Sequence, residues 1–483
     1  MRMLLAFSRS AALAVLLCGA ASATVHTVDD FGVADFATIG EAIAACSEGD
    51  TVLVFAGTYA GPENRGLSFD DVNIAIIAND GYVMTTIDCE GEDRAFYLSG
   101  VHDTTTVIRG FTIVNGNSTG ARYTSGGAIY MHSGSSAIVD GCSFESNTAT
   151  DGGAIAIGTG NTARIRDCIF IGNSATLFGG AINCNYDDSV IRGCHFAENT
   201  APQGGALRVY YSSTAVIDCS FVGWNEAANS GGAIWHSQCP STSLIRGCAF
   251  AGNSAQNGGG IFSWVSSPTI ENCDFVANVA SGEGGGLYVA AMGEPLNVSD
   301  CTFKGNSAHH GGGAEIIGAP LMMTDCTFSG NQAEYLGGAL YLFQDLAGVV
   351  GCTFSGNASG AGQSGGIYVQ DCPGTIANTI VAFSTSGAGV VFSGTSPEIR
   401  HSCIFANAGG DSLEGYHHNN MFLDPLFCDM GDDDFALCAN SCCLPPNNIW
   451  FELIGAHGQG CAECPSAVEF TTWGAIKALY RDR

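Results

Sequence analysis

Residues 144–155 read FESNTATDGGAI, and the phrase returns as FIGNSATLFGGAI at 170–182, FAENTAPQGGAL at 196–207 and FAGNSAQNGGGI at 250–261. Cysteines keep the same beat. Cys142, Cys168, Cys194, Cys219, Cys248, Cys273, Cys301, Cys326 and Cys352 follow one another at intervals of 25 to 29 residues. Cys403 comes a doubled interval later, with Asn378 in the gap. Two residues after each cysteine stands a phenylalanine, from Phe144 to Phe405, and an asparagine usually follows three further on, from Asn147 to Asn357. In the unit that starts at Cys219, Trp224 takes that place and the asparagine shifts to Asn225. Each unit then passes through a glycine pair into a short apolar strand. A further strand, carrying Val139, Ile165 or Ile191, leads back to the next cysteine.

Three short strands per unit and no helical period leave few architectures. Leucine-rich repeats need their leucine and asparagine signature, and propeller blades need about 40 residues or more. A parallel β-helix fits, with one coil per unit and each strand paired to its equivalent about 4.8 Å away. Alternation then turns Cys142 and Phe144 inward and Ser143 outward. Stacking puts cysteine over cysteine and phenylalanine over phenylalanine. In such a column the cysteine Cβ atoms sit near the coil spacing, longer than the roughly 3.8 Å that a disulfide prefers. A straight column does not converge on a zinc ion either. The ten column cysteines therefore read as small buried hydrophobes, with some disulfides as the alternative. The glycines allow sharp corners and the asparagines bond backbone at another corner.

The totals agree with an exported protein. The 483 residues include 46 acidic against 16 basic ones, a formal charge of -30 that repels nucleic acid and anionic membranes. Arg2 and Arg9, an apolar run at 11–20 and Ala21-Ser22-Ala23 form an export signal over 1–23, too short to span a membrane. No later segment reads as membrane-spanning, and disulfides are allowed outside the cytoplasm. Residues 24–50 read as an N-terminal strand and a helical cap, because Phe36, Ile39, Ile43 and Ala44 have helical spacing. The β-helix runs over 51–425. The tail, 426–483, holds Cys428, Cys438, Cys442, Cys443, Cys461 and Cys464, six disulfide candidates with fifteen possible pairings.

The FxxN…GGA(I/L) phrase, recurring over about 126–372, resembles the repeat of bacterial polymorphic outer-membrane proteins, whose passenger regions look like parallel β-helices and serve as surface adhesins. DFATIGEAIAACSEGDTVLVFAGTY, residues 35–59, is similar to the cap and first coil of secreted right-handed β-helix proteins of the pectate-lyase-like group. VEFTTWGAIKALYRDR, 468–483, resembles the segment that often closes such a domain before a sorting module. The resemblance implies an all-β fold, a single-stranded right-handed parallel β-helix solenoid. No C-terminal barrel pattern or sorting domain is read in the sequence, so a complete autotransporter is not expected.

Catalysis on this fold needs carboxylates that hold calcium beside a basic residue, or two carboxylates about 5–9 Å apart on neighbouring coils. Parity puts Tyr130, Ala156, Asn183, Arg208, Trp235, Phe262, Tyr288, Glu315, Tyr341 and Tyr368 outward on the glycine-led strand, with no carboxylates adjacent. Asp140, Arg166, Arg192, Arg246 and Glu271 on the preceding strand read as solvated charges. Asp429, Asp432, Asp433 and Asp434 form a candidate calcium loop without an EF-hand pattern; no other cofactor is expected. The strongest outward signal is aromatic: Tyr210, Trp235, Phe262, Trp264 and Tyr288 fall on one face of four successive coils. Such rings suit stacking on sugars or contact with a protein. The expectation is a secreted or cell-surface noncatalytic protein that binds extracellular polysaccharide or a surface protein. The alternative is a carbohydrate-active enzyme of pectate-lyase-like type, and a purely structural envelope protein is the third option.

Overall fold

Nine central coils each close on four strands. In the coil that begins before Cys142 these are Ile138–Asp140, Ser143–Glu145, Thr148–Asp151 and Ile155–Ile157. The computed structural model describes residues 23–464 except 33, 70–71, 101, 122, 345, 361–362, 414–416 and 463. The export signal up to residue 22 and the closing segment 468–483 lie outside the described residues. Every solenoid strand pairs in parallel with its equivalent one coil on, which gives a right-handed solenoid of four sheets with 16, 14, 9 and 13 strands. The nine-stranded sheet is the addition to the three strands read from sequence. The residues after each asparagine also pair coil on coil, as Thr148 with Ser174 and Ala149 with Ala175.

Uniform columns hold the interior. Phe144, Phe170, Phe196, Phe221, Phe250, Phe275, Phe303, Phe328 and Phe354 stack with ring centroids 4.4 to 5.0 Å apart and nearly parallel planes. Beside them the asparagines form a closed amide ladder. Asn253 Nδ2 donates to Asn278 Oδ1 at 3.0 Å and to the Phe221 carbonyl at 2.9 Å, and its own Oδ1 accepts from Asn225. Fully paired, such a network specifies register, because a slip would leave buried amides without partners. The extra residue at Trp224 is looped out to solvent so that Asn225 keeps its rung.

Nine cysteines, Cys142 to Cys352, are buried free thiols in one column. Each approaches the carbonyl two residues earlier, as Cys168 Sγ does with Arg166 O at 3.1 Å. Cys403 does not join them. Its strand pairs Cys403 with Ile380 and Ile404 with Val381, so Thr379 and Ser402 continue the thiol column and Val381 and Ile404 the phenylalanine column. Thr379 Oγ1 and Ser402 Oγ donate to carbonyls two residues earlier, as the thiols do. Small size and that bond suit them to the slot. Asn378 is instead a corner residue with φ 50°. Cys403 and Phe405 thereby face outward.

At the N-terminal end, helix α1 (Ile39–Ala45) is capped by Thr38, which accepts from the Glu41 N–H, and buries Ile39 and Ala42 in the main core. At the other end the tail lies on the outer side of the phenylalanine sheet. Phe427–Asp429, Asp434–Cys438 and Gln459–Cys461 form a small sheet, stapled by Cys428–Cys461 and Cys438–Cys464. Lys304 pairs with Asp433, Thr327 with His457, and Ile380, Ala382 and Cys403 form a second core with Leu437, Cys443, Leu444 and Ile454. Cys442 and Cys443 depart from expectation: they are thiols. The outward turn of Cys403 brings three sulfur atoms together there, within 4.8 Å of one another.

Candidate functional site

The glycine pair creates a sharply re-entrant angle in each coil. At Gly311 φ is +57°, and a Cβ there would lie 2.7 Å from the Glu315 Cβ and 2.5 Å from the Ala314 carbonyl. At Gly312 a Cβ would meet the carbonyl of Gly338 at 2.3 Å. The chain therefore turns so tightly that the residue before the pair faces the residue five positions later. Down the solenoid this makes a corner with two walls. One carries Ser125, Asp151, Phe178, Gln203, Ser230, Asn257, Glu283, His310 and Leu336, the other the outward column from Tyr130 to Tyr341.

Outward side chains lean on the opposite wall one coil back. The Arg208 guanidinium lies 4.2 Å from the Phe178 ring centroid, 4.4 Å from Tyr210 and 5.1 Å from Trp235, and donates to Asn183 Oδ1 at 2.9 Å. Burial pulls its pKa down, against the opposing pull of Asp151, whose own carboxyl is raised chiefly by burial. Phe262 and Tyr288 stack at 5.0 Å, and Trp264 lies parallel to Phe262 at 6.4 Å. With Ala290, Trp235 and Ile317 they form an apolar cluster outside the solenoid core. Of the five aromatic residues singled out from sequence, Phe262 and Tyr288 are buried in the corner, Tyr210 and Trp235 are half-buried, and Trp264 is 40% exposed.

Polar groups flank the ring cluster on both sides. Towards the N-terminus a cavity of 160 Å³ is lined by Gly66, Asp93, Arg94, Tyr97, Ala121 and Tyr123. Arg94 is buried, its guanidinium 5.5 Å from the Tyr130 ring and its Nη1 without a hydrogen bond. Towards the C-terminus Glu315, only 3% exposed, meets Glu283 of the opposite wall. Burial first, and then Glu283, pushes the Glu315 carboxyl up to about 10. The two carboxyls act on each other across the corner. Inspection of the glycine-led strand alone finds no neighbouring carboxylates, because Glu283 comes from the other wall. The letter before each glycine pair is the signal that would have shown it.

Other singled-out residues sit elsewhere. Asp140 pairs with Arg109 and Arg166, Arg192 with Asp218, and Arg246 with Glu271. Asp429 accepts from the Gly431 N–H, Asp434 accepts from the Ala436 N–H, and Asp433 takes Lys304. Asp432 is exposed in the same turn. Among the described residues, side chains that converge as metal ligands form four groups: Cys403, Cys442 and Cys443; Glu283, His309 and His310; His26, Cys46 and Asp50; and the bridged Cys428, Cys438 and Cys461.

Residues 180–346 match the family model of the right-handed β-helix region, and 167–185 match the Chlamydia polymorphic membrane protein repeat. No curated protein matches the chain. The two matches fall on the coils that build the corner. No described helix is long and apolar enough to cross a membrane.

Proposed function

We propose that this is a secreted or cell-surface β-helix protein that holds an extended extracellular polysaccharide along the glycine corner. The solenoid fold and the polymorphic membrane protein repeat support the surface or secreted setting. One observation carries the ligand class: a run of rings on four successive coils of the corner, among them the exposed Trp264. Flat apolar faces beside buried hydrogen-bonding groups such as Asn183 and Arg208 match the two-sided chemistry of a sugar. Coils repeat at about 4.8 Å, close to one sugar unit, so successive rungs can serve successive units. A glycan array compared between the native chain and the Trp235→Ala, Trp264→Ala double variant tests this. The native chain is expected to bind a polysaccharide class and the variant to lose at least about tenfold in affinity, each lost ring face contributing on the order of 1 kcal/mol. Equal binding by both, or none by either, overturns the reading.

A further inference from the structure

We propose that Glu283, His309 and His310, beside the buried Glu315, bind one divalent transition-metal ion of the Zn2+ type towards the C-terminal end of the corner. Glu283 and His310 are bridge partners on adjacent coils, and Glu283 Oε2 lies 3.6 Å from His310 Nδ1. Two ligands about 2.0–2.1 Å from a tetrahedral zinc ion stand roughly 3.3 Å apart, so small side-chain rotations close the site. His309 supplies the third ligand. Consecutive strand residues normally face opposite ways, but the register shifts between Ala308 and His310, a bulge of the kind that re-aims a side chain. The two imidazoles consequently stack at 4.8 Å, and one ligand atom from each of Glu283, His309 and His310 falls within 4.8 Å of the others.

Glu315 provides the independent sign that a cation belongs there. It is almost fully buried, and its Oε2 has no hydrogen-bond partner; Glu283 Oε2 has none either. A buried carboxyl oxygen without a hydrogen-bond partner is costly unless a cation meets it. His310 Nδ1 faces Glu283 Oε2, and His309 Nε2 lies 3.9 Å from Glu334 Oε2; two imidazoles beside the carboxyl favour the cation, and nitrogen ligands select zinc-like ions over calcium. The ion has a path in, because His309 and Glu283 keep about a third of their side chains open to solvent.

The test uses the full chain, stripped with chelator and titrated calorimetrically with Zn2+ and, for spectroscopy, with Co2+. One ion per chain is expected, with cobalt bands of nitrogen and oxygen ligation and no sulfur-to-cobalt charge transfer. That signature separates the site from Cys403, Cys442 and Cys443. His310→Ala and His309→Ala should each weaken Zn2+ binding by more than the roughly hundredfold that a merely supporting residue reaches, while Cys442→Ser leaves it unchanged. Absence of binding, sulfur charge transfer on the unaltered chain, or unchanged affinity in folded histidine variants overturns the proposal.

Discussion

The inside of the solenoid and its glycine corner are built from the same coils by opposite rules. Inside, one letter repeats: phenylalanine on nine coils, asparagine on nine, cysteine on nine. In the corner the letter changes at every step, from Asn183 through Arg208, Trp235, Phe262 and Tyr288 to Glu315. A uniform column optimises one contact, ring on ring or amide on amide, and multiplies it; it serves packing and register. A varied column gives up that economy and leaves polar atoms of Arg94, Arg208 and Glu315 without partners. Groups buried at that cost are retained where something else meets them.

The contrast predicts different responses to substitution. Phe250→Ala removes a fully buried ring from the middle of the stack and should lower unfolding stability by about 3–5 kcal/mol, read from the urea midpoint, while the folded fraction still binds glycan. A smaller effect comes from Asp187, buried beside Ser212, which donates to its Oδ1 at 2.7 Å. Burial pushes its carboxyl up to about 6 from an ordinary 3.8. The folded state holds this proton more tightly than the unfolded chain, so its contribution is most favourable below about pH 4. Stability then falls as pH rises through about 6, by on the order of 2–3 kcal/mol. Asp187→Asn should remove that decline, making the variant more stable than the native chain at pH 7.5 and no more stable at pH 4. Smallest is Cys326→Ser, which should cost about 1 kcal/mol, because Thr379 and Ser402 already fill the same column with a hydroxyl. A loss as large as that of Phe250→Ala would show that the thiols do more than fill.

The same contrast explains what was legible in the sequence. Repeated letters report their own register, so the coils, the inward columns and the outward positions from Tyr130 to Tyr368 could be read by counting. Where the letters change, counting misleads. CIF at 403–405 copies the spacing of CTF at 352–354, but the two hydroxyl residues before it fill the thiol slot and the strand slips by one. That slip, invisible without Thr379 and Ser402 in place, turns Cys403 towards Cys442 and Cys443, which sequence alone offers as disulfide candidates. The corner was half legible. Its outward wall follows from strand parity, but contact with the facing wall depends on a glycine turn and a lean of one coil. Glu283 and Glu315, 32 positions apart, therefore gave no local motif.

Oxidative footprinting of tryptophan side chains, with and without the polysaccharide that the array identifies, tests most directly whether the varied face is the one that recognises. Trp264 in the corner and Trp224 on another face are both open to solvent, at 40% and 75% exposure. Ligand should shield Trp264 and leave Trp224 as reactive as before. Shielding of Trp224 with Trp264 unchanged would place recognition elsewhere and contradict the account.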